Sequence, residues 1–132
     1  MDDFSFDLPG GASQARRAFR IKVPGLEVWI EEKGEAFAIE DLSALGMAFF
    51  SHDPGAFEPE RLLTCDLLLN QKLFIAALSA RVKRIMPDAG PDVCSVGCAF
   101  EGLDLKQEAR LDKLVLEVQK RLIALRKTKE RS

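Results

Sequence analysis

Apolar and polar residues alternate in short runs over most of the chain, then switch to a helical period near its end. Leu26-Glu27-Val28-Trp29-Ile30 has the two-residue period of a half-buried strand, and Lys33-Gly34 is a turn into a second strand, Ala36–Leu42. Gly46–Phe50 reads as a third strand, and Ser51–Pro59, with Asp53-Pro54-Gly55, as a loop. Arg61–Leu69, a turn near Asn70-Gln71, and Leu73–Met86 form a long hairpin; Phe74, Ala76, Leu78, Ala80 and Val82 are expected on one face, and Ser79, Arg81 and Lys83 on the other. A turn-rich stretch over Pro87–Asp92 leads to a last strand, Val93–Phe100. From there Leu111, Leu114, Val115, Val118, Leu122 and Leu125 form one helical stripe, with Asp104 as N-cap and Gln107 at the capping-box position. The basic residues Lys120, Arg121, Arg126, Lys127 and Lys129 suit the negative end of that helix dipole.

Consecutive short strands without intervening helices predict a mainly β protein, an antiparallel sheet closed into a small barrel, with a long terminal helix over about 104–128. The 132 residues suffice for one domain. Residues 1–13 are expected to be a flexible lead-in, residues 14–132 the domain, and about 19–103 its barrel.

A net charge of −2 argues against a nucleic-acid binder that relies on bulk positive charge. The charge is unevenly placed, because Arg16, Arg17, Arg20 and Lys22 follow Asp2, Asp3 and Asp7 with no acid among them. A basic arm on an acidic protein points to a discrete anion site. The start of the chain lacks the pattern of a signal peptide, no apolar run is long enough to span a membrane, and an odd cysteine count suits a reducing compartment. A cytoplasmic protein without membrane insertion is therefore expected.

Two runs carry the chemistry: Arg16-Arg17-Ala18-Phe19-Arg20 and Asp41-Leu42-Ser43-Ala44-Leu45-Gly46. A guanidinium donates two parallel hydrogen bonds, which suits phosphates and the O6/N7 edge of guanine, while a carboxylate accepts from N–H groups on a base. Strand parity predicts Asp41 and Ser43 facing outward with Leu42 in the core, and Gly46 where the chain bends or a ligand approaches. Such residues suit an anionic, guanine-containing ligand.

The order of these features resembles the PilZ domain family: an R-x-x-x-R arm, a strand pair, D-x-S-x-x-G, more strands, and a terminal helix. The resemblance covers about residues 14–125 and includes Val96-Gly97-Cys98-Ala99-Phe100, which looks like the family's final barrel strand. It implies a six-stranded barrel that binds the bacterial second messenger cyclic di-GMP (c-di-GMP). By the same resemblance Arg16 and Arg20 clamp guanine and phosphate groups from a flexible arm, Asp41 and Ser43 contact a guanine, and Gly46 keeps the backbone close. Many members carry an arginine just before R-x-x-x-R where this chain has Ala15, which favours one ligand per site; Arg17 is a candidate substitute. The expected protein is a small receptor without an enzymatic activity or cofactor, a monomer or weak homodimer, signalling through a partner protein. The alternative is a PilZ-like interaction module that does not depend on c-di-GMP.

Other features read as structural. Cys94 and Cys98 share a strand face about 13 Å apart, too far for one metal or a disulfide, so they and Cys65 are expected to be buried thiols. His52 beside Asp53 lacks a nucleophile and is not expected to be catalytic. Trp29 is read as a core or rim residue, with stacking on a base as the other possibility. Arg81, Lys83 and Arg84 form a second basic group, read as a solvated face with a phosphate contact as the other possibility. Leu116 and Ile123, seven apart, are expected to pack on the barrel rim, with an exposed strip for a partner or a second copy as the alternative.

Overall fold

Six strands meet in one closed sheet. The computed structural model describes residues 19–87 and 92–131, with only the backbone course given for 125–131. Strands β1 (Leu26–Ile30), β2 (Glu35–Leu42), β3 (Gly46–Ser51), β4 (Leu62–Leu69), β5 (Lys72–Pro87) and β6 (Cys94–Glu101) form an antiparallel barrel in the order β1-β2-β3-β6-β5-β4, and helix α1 (Leu105–Arg131) follows. The barrel and the terminal helix agree with the expectation from the pattern. The expected flexible lead-in, with Arg16 and Arg17, lies outside the described residues.

Alternation sets the inside of the barrel. Val28, Ile30, Leu42, Phe49, Leu67 and Val96 are fully enclosed, and burying each contributes about 1.5–3 kcal/mol. The loop after β3 contains a single 3-10 turn, Pro54–Ala56. It drops Phe57 against Phe37 and Phe49, with ring centroids 5.1–5.5 Å apart. Asn70 and Gln71, both at positive φ, make the tight β4–β5 hairpin.

Parity is broken where the ladder bulges. In β5 the expected common face holds for Leu78, Ala80 and Val82, with Ser79, Arg81 and Lys83 opposite, but it breaks before them: Ile75 points inward and Ala76 is exposed. The switch falls at Ala77, whose φ of 58° goes with register shifts against β4. Asp66 Oδ1 accepts the Ala77 N–H at 2.9 Å, so the bulge leaves that donor satisfied.

Helix α1 starts as its residues predict. Asp104 Oδ1 accepts the Gln107 N–H at 2.7 Å and Gln107 Oε1 accepts the Asp104 N–H at 3.0 Å, a reciprocal capping box. The Gln107 side-chain amide also donates to the carbonyls of Ala76 and Ala77, fastening the helix to the bulged part of β5. Leu111 and Val115 are buried, with Leu114 and Val118 half-buried against the same core. Past Val118 the helix outruns the barrel: its 27 residues extend about 40 Å. Leu122 is therefore exposed although it belongs to the stripe, and Leu116 and Ile123, expected on the barrel rim, are exposed at 44% and 52%. The Leu125 side chain lies outside what is described. No helix among the described residues is long and apolar enough to cross a membrane.

Candidate functional site

Ile21 brings the arm to the barrel. It is buried, and it exchanges two backbone hydrogen bonds with Leu42, of 2.8 and 2.9 Å. Its neighbours Arg20 and Lys22 therefore point away from the core. Arg20 Nη1 donates to Asp41 Oδ1 at 2.6 Å, and Lys22 Nζ reaches the Glu40 carbonyl at 3.5 Å.

Asp41 owes its outward aim to a bulge in β2. Ile39 packs on the core and pairs with Phe49, whereas Asp41 pairs with Ala48. Strict alternation from Ile39 would turn residue 41 inward; the extra residue at this register shift turns Asp41 out and Leu42 in.

Ser43 is placed differently from the parity expectation. It lies beyond the end of β2, is 2% exposed, and closes a turn instead of facing outward with Asp41. Its Oγ accepts the N–H groups of Leu45 and Gly46 at 3.1 and 3.2 Å, and its own N–H donates to the Gly46 carbonyl at 2.9 Å. Gly46 has a packing reason of its own, because a Cβ there would run into the carbonyl oxygen of Cys98 on β6. The D-x-S-x-x-G run thus supplies one outward carboxylate and a turn that presses β3 against β6.

That close approach builds a floor. Gly46 stands opposite Ala99 and Ala48 opposite Gly97, four small residues on the outer face of β3 and β6. A single cross-strand row runs Asp41–Ala48–Gly97–Arg84 over β2, β3, β6 and β5. Three inter-strand steps set its ends about 14 Å apart. Two adjoining clefts, about 380 and 170 Å³, lie over this floor, and both are lined by Arg20, Arg84 and Gly97. Ser43 and Gly46 line the larger cleft and Asp41 the smaller, so the structure brings Arg20, Asp41, Ser43 and Gly46 together. Motif spacing alone does not reveal this floor. Small residues at alternate positions 46 and 48, and again at 95, 97 and 99, are the signal that reveals it.

Larger hollows exist, about 580 Å³ beside His52 and 570 Å³ between β5 and α1, but neither contains a residue of the two runs. The Asp53 carboxylate next to His52 is engaged, accepting the Gly55 N–H at 3.0 Å. Trp29 is part-exposed on β1 and borders neither cleft. Among the described residues no cluster of His, Cys, Asp and Glu could hold a metal ion. All three cysteines are free and buried, as expected. Burial pushes the Cys65 and Cys98 thiols up to about 12.

The family model described as PilZ domain matches residues 14–117, and the chain belongs to the PilZ domain family. No curated protein matches it significantly. Among solved structures it is similar to Bacillus subtilis MotI/DgrA, an inhibitor of motility, with 20% identity and a TM-score of 0.65 over 76% of this chain and 48% of that one. It is also similar to the K. pneumonia MrkH–c-di-GMP complex (22%, TM-score 0.65, 85% of this chain, 55% of that one). A third is Escherichia coli YcgR in complex with c-di-GMP (17%, TM-score 0.65, 89% of this chain, 50% of that one). These likenesses show a shared fold, and the chain spans about half the length of each of the three.

Proposed function

We propose that this PilZ domain is a receptor for c-di-GMP, seated on the small-residue floor beside Arg20 and Asp41. The observation that carries this reading is the Arg20–Asp41 pair at 2.6 Å on the rim of that floor. Together the two side chains offer what a guanine base needs: a fork of N–H donors for O6 and N7 on one edge, and a carboxylate for N1–H and the 2-amino group on the other. Family membership supports it, as do the c-di-GMP complexes of MrkH and YcgR, which share the fold.

In this reading Arg16 and Arg17 complete the clamp from the arm. Arg20 is held by its Ile21 anchor, so ordering concerns the residues before it. Ligand binding orders that part of the arm and makes a surface that a partner protein reads. Ser43 and Gly46 act through the turn and the close strand contact, keeping backbone near the ligand.

The test is nucleotide discrimination. Isothermal titration should give micromolar or tighter binding of c-di-GMP, with GMP and cyclic di-AMP bound at least tenfold more weakly. Hydrogen exchange at residues 14–19 should slow in the presence of c-di-GMP. Equal affinity for all three nucleotides overturns guanine recognition, and no uptake of c-di-GMP overturns the receptor reading.

A second reading, an interaction module independent of c-di-GMP, is favoured by one observation. Helix α1 exposes Leu116 near its middle and Leu122 and Ile123 further along. Partner capture unchanged by the nucleotide and by Arg20→Ala would support it over the first.

A further inference from the structure

Arg81, Lys83 and Arg84 are near neighbours in sequence, and the fold gives them different surroundings. Arg81 is engaged twice. Its Nε and Nη2 donate to the Glu101 carboxylate at 2.5 and 2.9 Å, and its Nη1 donates to the Glu60 carbonyl at 2.8 Å. Lys83 Nζ stands 3.4 Å from Glu60 Oε1. Arg84 has no ion pair or side-chain hydrogen bond with any described residue.

The aim of Arg84 is set by a bulge. Ala80 and Val82 are buried inside the barrel, and continued alternation would send residue 84 in after them. Instead Val82 pairs with Cys98 and Arg84 with Gly97, so two steps on β5 answer one on β6. The extra residue turns Arg84 outward and lays Ile85 against the core. Gly97 beneath it has no side chain; a Cβ there would sit 3.6 Å from Arg84 Cγ and 3.8 Å from Nε. The stem of Arg84 thus lies over the floor, and both clefts beside Arg20 are also walled by Arg84.

We infer that Arg84 is a phosphate contact of the nucleotide site, opposite the Arg20–Asp41 pair. This rests on the proposed c-di-GMP site and adds a residue outside its two motifs. The charges explain the division of labour. Arg20 and Asp41 neutralise each other and suit a base edge, and Glu40, the other carboxylate at the smaller cleft, accepts from Ser95 Oγ at 2.6 Å. Arg84 brings a positive charge matched by no carboxylate among the described residues. A cyclic dinucleotide carries two phosphodiester charges, and an unmatched guanidinium at the far end of the Asp41–Ala48–Gly97–Arg84 row meets one of them.

Titration of the wild type, Arg84→Ala, Arg84→Lys and the control Arg61→Ala with c-di-GMP tests this, with melting temperatures recorded alongside. Arg84→Ala should bind about tenfold to a hundredfold more weakly at unchanged melting temperature. Arg84→Lys should recover most of the loss, because phosphate accepts a point charge, and Arg61→Ala should bind like the wild type. Equal binding by the wild type and Arg84→Ala overturns the role of Arg84 and leaves the receptor reading intact. An Arg84→Lys variant as weak as Arg84→Ala overturns the phosphate assignment in favour of a forked base contact. A wild type that takes up no c-di-GMP overturns both readings.

Discussion

Arg20 Nη1 and Asp41 Oδ1 meet at 2.6 Å beside the backbone pair of Ile21 with Leu42. The side chains are 44% and 20% exposed, so water screens the attraction, and such pairs contribute about 0–1 kcal/mol to folding. Arg20→Ala and Asp41→Ala should therefore unfold in urea within about 1 kcal/mol of the wild type. A loss several times larger would mark the pair as a folding element.

The D-x-S-x-x-G turn should behave in the opposite way. Gly46→Ala puts a methyl group where the Cys98 carbonyl lies, and the strands must part to admit it. Denaturant titration should show a loss of about 1–3 kcal/mol or more. Ser43→Ala removes the hydroxyl that accepts two turn N–H groups and should cost about 1 kcal/mol or somewhat more. Wild-type stability in both would contradict the turn's role in closing β3 on β6.

The architecture was legible in the sequence because alternation and turn chemistry report it directly. Leu26–Ile30, the Asn70-Gln71 turn and the Asp104/Gln107 cap all emerge where their residues place them. What alternation cannot report is a bulge, since one extra residue leaves no mark of its own in the pattern. Hence alternation puts Ala76 on the wrong face, and it does not set Arg84 apart from Arg81 and Lys83. Leu116 faces away from the barrel although Val115 and Val118 on either side pack on it, and Ile123 lies past the barrel's reach along the helix, a length that helical period does not encode. At the candidate site the charged residues were legible, while the floor of Gly46, Ala48, Gly97 and Ala99 depended on strand register.

The buried thiols predict an alkaline transition. Cys65 and Cys98 are held up to about 12 by burial, against about 9 when unfolded. The unfolded chain then releases protons that the folded chain keeps, so stability is full below pH 9 and falls as pH rises toward 12. Urea titrations at pH 8, 9.5 and 11 should show declining midpoints. Replacing both cysteines by alanine should flatten that slope; an unaltered slope contradicts the assignment.

Helix α1 should depend on its first turn. Asp104→Ala removes the acceptor for the Gln107 N–H and should cost about 1 kcal/mol. Gln107→Ala loses the return bond and the contacts to Ala76 and Ala77, so it should cost at least as much. Matching losses of helical circular dichroism and of stability would check both; no change in either variant would separate the helix from barrel stability.

The central claim is tested most directly by calorimetric titration of the wild type, Arg20→Ala and Asp41→Ala with c-di-GMP at one salt concentration. Saturable binding by the wild type is predicted, with a loss of about tenfold to a hundredfold in each variant, from charge-assisted hydrogen bonds worth about 1.5–3 kcal/mol. A folded wild type that gives no heat with hundreds of micromolar ligand, or variants that bind as tightly as it does, would contradict the account.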